Sequence, residues 1–128
     1  MDITVGMTGT VSTTVEREDT AYEVGSGSLL VYATPCMVAL MEGAACEAIA
    51  QALQEDKTSV GTELNISHLA ATPVGLEVRA EAEVTQVEGN AVTFRVIAYD
   101  EAGKIGEGIH KRVVVSTQRF LDKAYSKL

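Results

Sequence analysis

Residues 35–54 constrain this chain more than any other stretch. Pro35 suits the first position of a helix and Thr34 ahead of it can cap free amides. The first half then carries Met37, Val38, Ala39, Leu40, Met41, Ala44, Ala45 and Cys46. A helix that is apolar almost all round is buried on most of its sides, so the rest of the chain has to supply a layer that wraps it. Gly43, Ala44 and Ala45 are small enough for something to pack closely, and only the end, Gln51 to Lys57, is solvated in pattern. The helix is expected to run to about Gln54.

The wrapping layer is a set of strands. Residues 8–18 alternate, with Val11, Thr13 and Val15 on one parity and Thr10, Ser12, Thr14 and Glu16 on the other. Four further strands are expected at 61–72, 76–87, 91–99 and 104–116. In 76–87 the residues Leu76, Val78, Ala80, Ala82 and Val84 make a dry face, and Glu77, Arg79, Glu81 and Glu83 a wet one. The joints Glu88-Gly89-Asn90 and Asp100-Glu101-Ala102-Gly103 are short and turn-rich, which favours antiparallel hairpins. Between the first strand and the helix, Gly25-Ser26-Gly27-Ser28 leads into Leu29, Leu30 and Val31, a loop or lid with an apolar end. It lacks the Lys and the preceding strand of a phosphate loop. Residues 117–128 are expected to form a short terminal helix.

There is no internal repeat or linker, and 128 residues suit one domain spanning 1–128. The fold class is α+β, a five-stranded antiparallel sheet wrapped around one long helix. One helix cannot cover such a sheet completely, so dimerisation, edge to edge or face to face, is expected to cover the remainder.

Ten Lys+Arg against eighteen Asp+Glu give a formal charge of −8, which argues against a general binder of nucleic acid or of anionic membranes. Any anionic ligand must be met by local basic groups. No stretch reaches the roughly 20 apolar residues of a membrane span, and the start has no basic region followed by an apolar run, so a cytoplasmic location is expected. Cys36 and Cys46 lie ten positions apart in one helix, about 15 Å along its axis, too far for an internal disulfide. They are expected to be reduced core thiols. With no C-x-x-C and only His68 and His110, no metal site is expected.

Glu42 is the one carboxylate between Thr34 and Cys46. Burying it costs free energy unless it is paired or neutralised, and desolvation would raise its pKa toward a range useful for acid–base work. The alternatives are a narrow exposed stripe shared with Glu47, or bonding to backbone. Alternation puts Leu64, Ile66, His68 and Ala70 on one face, so His68 points inward, where it can meet Glu42 or serve as a hydrogen-bonded core residue. His110 shares a parity with Lys104 and Arg112 rather than with Ile105, Ile109 and Val113, which places it on the surface. Thr34 caps the helix, sets a hydroxyl beside amides that favour developing negative charge, or does both. Eight residues of regular helix separate Thr34 from Glu42 by about 12 Å, so the two flank a ligand rather than touch. The absence of G-x-S-x-G, and of an Asp near His68, argues against an ordinary serine hydrolase.

Tyr32-Ala33-Thr34-Pro35-Cys36-Met37-Val38-Ala39-Leu40-Met41-Glu42, followed by Val60-Gly61-Thr62-Glu63-Leu64-Asn65-Ile66-Ser67-His68-Leu69-Ala70-Ala71-Thr72-Pro73-Val74-Gly75, resembles the hot-dog thioesterases. The likeness is strongest to their fluoroacetyl-CoA thioesterase group. It implies a homodimer with sites at the subunit interface that hydrolyses an acyl-CoA substrate without metal or cofactor beyond the CoA of the substrate. It also implies a catalytic set of Thr34, Glu42 and His68, with Gly61 lining the acyl site. Glu42 would attack the thioester or activate water, Thr34 would polarise the reacting group, and His68 would manage protons.

That group has an aromatic pair in the lid where this chain has Gly25-Ser26-Gly27-Ser28, which turns the expectation toward a more general short or medium acyl-CoA. Leu29, Leu30, Val31 and Tyr32 are candidate lid or pocket walls, and Lys104, Lys111 and Arg112 are candidates for the anionic CoA tail or plain solvated charge. Two rival readings are a non-catalytic acyl or aromatic-ligand binder and an enoyl-CoA hydratase or dehydratase, which also uses His and a carboxylate.

Overall fold

A computed structural model describes residues 2–128. Strand β1 (Thr8–Thr14) leads through a 3₁₀ turn (Arg17–Asp19) and the single-turn helix α1 (Ala21–Val24) into the long helix α2 (Thr34–Ile49). A second 3₁₀ turn (Ala50–Ala52) is followed by β2 (Lys57–His68), β3 (Glu77–Glu88), β4 (Ala91–Asp100), β5 (Gly103–Ser116) and the terminal helix α3 (Thr117–Tyr125). All five strands form one sheet in the order β1-β3-β4-β5-β2, every neighbouring pair antiparallel. Helix α2 lies across one face of it, chiefly on β1 and β3. This is the hot-dog arrangement that the motif resemblance implied.

The helix meets the sheet along one stripe: Met37, Met41, Ala44, Ala45 and Ile49 are fully buried, against Val78, Ala80, Ala82, Val84, Phe94 and Val96. At Gly9 the α2 backbone comes so near β1 that an added Cβ would collide with the Ala44 carbonyl and the Ala48 amide. The expectation of burial on most sides is not met within one chain. Pro35, Ala39, Cys46 and Glu47 are exposed, because β2 and β5 extend past the edge of the helix instead of closing over it. The cysteines follow suit: Cys36 is half-buried and Cys46 exposed, both free, so they are not core thiols. The α-helix also stops at Ile49, ahead of the expected Gln54, where the chain tightens into the 3₁₀ turn.

Of the register shifts in the sheet, those in β5 and β2 decide which side chains near Arg112 face the helix. In β5, Gly106 pairs with Ala98 and Lys104 with Tyr99, so Ile105 is an extra residue. A bulge reverses strand parity beyond it. Ile105 and Gly106 are therefore buried in succession, after which His110 and Arg112 face inward and Ile109 outward. His110 is completely buried, correcting the surface placement that unbroken alternation predicted. The second bulge, between Gly61 and Glu63 in β2, bends the edge strand beside Arg112. Strand β2 has a single neighbour, and its residues Gly61 to Asn65 are exposed. Among the described residues no helix is long and apolar enough to cross a membrane.

Candidate active site

Thr34 stands at the start of α2 but does not cap it. The N-cap is Ala33, with no side-chain cap bond, and the Thr34 hydroxyl is instead paired with His68 Nδ1 at 2.7 Å. The hydroxyl is free to do this because Pro35 lacks an amide to be capped and the Cys36 and Met37 amides already reach the Ala33 carbonyl. His68 closes β2 on the face that alternation predicted. Its other ring nitrogen, Nε2, is buried without a hydrogen-bond partner, and burial holds the ring's pKa below the ordinary value. An imidazole paired on one nitrogen and bare on the other can pass a proton to or from a group placed beside it.

Glu42, about two turns along α2, does not meet His68. Its Oε2 accepts from Arg112 Nη1 at 3.2 Å, and its side chain is 36% exposed. The carboxylate is thus paired and partly open, rather than isolated in a dry core. Arg112 Nε donates to the Ser59 hydroxyl at 2.8 Å and Nη2 to the Ser59 carbonyl at 3.0 Å, while Nη1 also faces His110 Nε2 at 3.1 Å. These contacts engage four of the guanidinium's five N–H groups. Arg112 is only 7% exposed, so the expectation of a surface cation for the CoA tail is corrected: its charge is turned toward Glu42.

Gly61 pairs with Arg112 across the β2–β5 ladder. A Cβ there would lie 2.7 Å from Glu42 Oε2, 3.3 Å from His110 Cε1 and 3.4 Å from Arg112 Nη1. The missing side chain is what lets the carboxylate approach the strand.

The structure therefore brings the expected residues together as two clusters, Thr34 with His68 and Glu42 with Gly61 and Arg112. Of the other candidates, Tyr32 is buried in the core cluster, where burial raises its phenol pKa, and its amide bonds to the Thr72 carbonyl. Leu29 and Leu30 are exposed beside the Gly-Ser loop. Lys111 points away from Arg112's face and lies 3.9 Å from Glu63, and Lys104 is paired with Glu107 at 2.9 Å. Among the described residues no group of three or more His, Cys, Asp or Glu could hold a metal ion. Sequence reasoning missed Ser59, the burial of His110 and the pairing of Arg112 with Glu42. The run Gly106, Gly108 was the available signal, since glycines inside a strand often mark a bulge or close approach.

A model of the fluoroacetyl-CoA-specific thioesterase family matches residues 15–118, a span that contains both clusters. The fluoroacetyl-CoA thioesterase of Streptantibioticus cattleyicolor is 42% identical over 97 residues, covering 76% of this chain and 70% of that protein. A solved structure of a fluoroacetyl-CoA thioesterase superposes with a TM-score of 0.93 at 34% identity, over 100% of this chain and 99% of the other. A Thermus thermophilus hypothetical protein described as a thioesterase superfamily member superposes with a TM-score of 0.85 at 32% identity, over 98% of each chain. Sequence and fold agree over nearly the whole length, and the chain belongs to the fluoroacetyl-CoA-specific thioesterase family of hot-dog proteins.

Proposed function

We propose that this chain is a cytoplasmic acyl-CoA thioesterase of one domain that works as a homodimer, hydrolysing a short or medium acyl-CoA to the free acid and CoA. The observation that carries the reading is the bare, buried Nε2 of His68 beside the Thr34 hydroxyl, in a chain that also fixes a carboxylate at Glu42. Either Glu42 attacks the thioester carbonyl carbon, the C–S bond breaks and water then cleaves the resulting acyl–Glu42 anhydride to the free acid, or Glu42 takes a proton from the water that attacks directly as the C–S bond breaks; in both cases the departing CoA thiolate is protonated through His68. Thr34, at the positive end of α2, polarises the carbonyl as its oxygen gains charge. The Gly-Ser loop with Leu29 and Leu30 supports a lid that admits more than one small acyl group, and Tyr32 backs it from the core. Lys111, exposed near the β2 edge, is the basic group we assign to the CoA tail. Free Cys36 and Cys46 suit a reducing compartment.

On this reading each cluster is half of a site, and dimerisation explains why the two stand apart. Thr34 and Glu42 are about 12 Å apart along the helix, too far for one reacting carbonyl to touch both. The unpaired edge of β2 invites a second copy. A two-fold axis near Leu64 and Asn65 would carry Gly61 and Glu42 of one subunit toward His68 of the partner subunit, completing two sites per dimer.

The test is thiol release from a panel of acyl-CoAs by wild type and by Glu42→Gln, Thr34→Ala and His68→Ala. Wild-type turnover of some acyl-CoA, with losses of about 100-fold or more in the variants, is expected. Binding without hydrolysis of any thioester would overturn the reading. Mixing subunits of Glu42→Gln with those of His68→Ala should restore about a quarter of wild-type activity, since half the dimers are mixed and each of those holds one intact site. No recovery would show that each site lies within one chain.

A further inference from the structure

His110 is fully buried, outside the expected catalytic set, and every one of its polar contacts has a determined sense. Its Nδ1 lies 2.9 Å from the Glu63 carbonyl, which can only accept, so Nδ1 carries the hydrogen. Its Nε2 lies 3.1 Å from Arg112 Nη1, which can only donate, so Nε2 presents its lone pair. The ring stacks near Phe94 of β4, centroids 6.0 Å apart and planes inclined by 26°, which fixes its tilt. The same Nη1 reaches Glu42 Oε2 at 3.2 Å. One nitrogen of Arg112 thus divides its two hydrogens between an imidazole lone pair and the carboxylate.

We propose that neutral His110 is a positioning residue for the reaction, turning Arg112 so that its remaining Nη1 hydrogen holds Glu42 in place beside Gly61. The proposal rests on the thioesterase reading above. A second proton on the ring would set an N–H against an N–H and drive Arg112 from its station, releasing Glu42. The charged or titratable groups around His110 are Arg112 on its own strand and Glu42 from α2. From β2 it meets the Glu63 backbone carbonyl, the Glu63 carboxylate being directed to Lys111, and from β4 the apolar Phe94. Burial and Arg112 lower the His110 pKa, against the opposing pull of the Glu63 carbonyl and Glu42, in the direction that favours the neutral ring its hydrogen bonds require.

Two substitutions separate positioning from packing. His110→Phe keeps an aromatic against Phe94 and removes the acceptor; His110→Gln keeps a carbonyl that can accept from Arg112 but does not titrate. The Phe variant is expected to fold and lose at least 10-fold in kcat with KM within about 3-fold, and the Gln variant to regain most of that loss. The acid limb of log kcat should be steeper than one proton in wild type and close to one proton in His110→Gln. Wild-type kcat in a folded Phe variant, or a Gln variant no better than Phe, would overturn the proposal. Nitrogen-15 NMR of the wild-type side chains keeps the inference testable even if no thioester is hydrolysed, an outcome that would sink the thioesterase reading instead. The His110 signals should show hydrogen on Nδ1 alone, and the Arg112 Nη signals should shift with His110 protonation. A ring carrying its hydrogen on Nε2 contradicts the assignment outright.

Discussion

Gly61→Ala isolates the placement of the carboxylate from the stability of the fold. The new Cβ would lie 2.7 Å from Glu42 Oε2, about 0.7 Å inside the 3.4 Å at which ordinary contact begins. The strand itself has no reason to break. Gly61 is exposed, and its φ lies outside the positive range that marks Gly75 and Gly89, so alanine can adopt its backbone conformation. The atom that gives way is the end of a flexible side chain. Glu42 must therefore retreat by several tenths of an ångström from the position Arg112 gives it. A misplacement of about 1 Å in a reacting group costs on the order of 100-fold, so kcat should fall by about 10- to 100-fold, or about 1.4–2.7 kcal/mol of barrier. Thiol release gives kcat and a melting curve gives stability; Tm should move by no more than a few degrees. Glu42→Asp in the alanine background should cost less than in wild type, since the shorter side chain relieves the collision. Unchanged kcat in a folded Gly61→Ala, or strictly additive effects in that cycle, would refute the placement.

Arg112→Lys should lower kcat by more than 10-fold while retaining the charge, because a lysine ammonium cannot span Ser59, His110 and Glu42 at once; near-wild-type turnover would contradict the guanidinium's role. Arg112→Met should destabilise by about 2 kcal/mol in urea titration, below the roughly 3–5 kcal/mol of a fully buried pair losing one partner, because Glu42 remains 36% exposed. Gly9→Ala should cost about 3 kcal/mol or more, since its Cβ meets helix backbone rather than a movable side chain, and a melting point within a degree of wild type would disprove that crossing.

Stability should also decline as pH falls through and below 6.5. His68 and His110 have lowered folded-state pKa values, so the unfolded chain binds protons more tightly and gains ground on acidification. Urea midpoints between pH 7.5 and 5 should drop less steeply in His110→Phe than in wild type. Parallel curves would assign the decline to other groups.

What could be read from the sequence alone was local. The dry and wet faces of β3, the hairpin joints and the start of α2 at Thr34 are periodicities and turn chemistries that neighbouring residues impose on one another. They gave the element order, the sheet and the single helix. Glu42 and His68 stood out because a carboxylate and an imidazole interrupt otherwise apolar patterns, and Thr34 because a hydroxyl ahead of Pro35 marks a helix start. The exposure of Cys46 was not legible, because an apolar residue on a helix does not show how far the sheet reaches around it.

The inward side of β5 was illegible for a different reason. A bulge adds one residue without any change of composition, so alternation counted from Ile105 placed His110 and Arg112 on the wrong face. The partner of Glu42 lies 70 positions away, and only the ladder pairing of Gly61 with Arg112 brings them together. The sequence by itself determined which elements form, since the period of the apolar residues and the chemistry of the turns are written in neighbours a few positions apart. Tertiary structure alone decided which cation holds the carboxylate, because register between distant strands is set by the packing of the whole sheet.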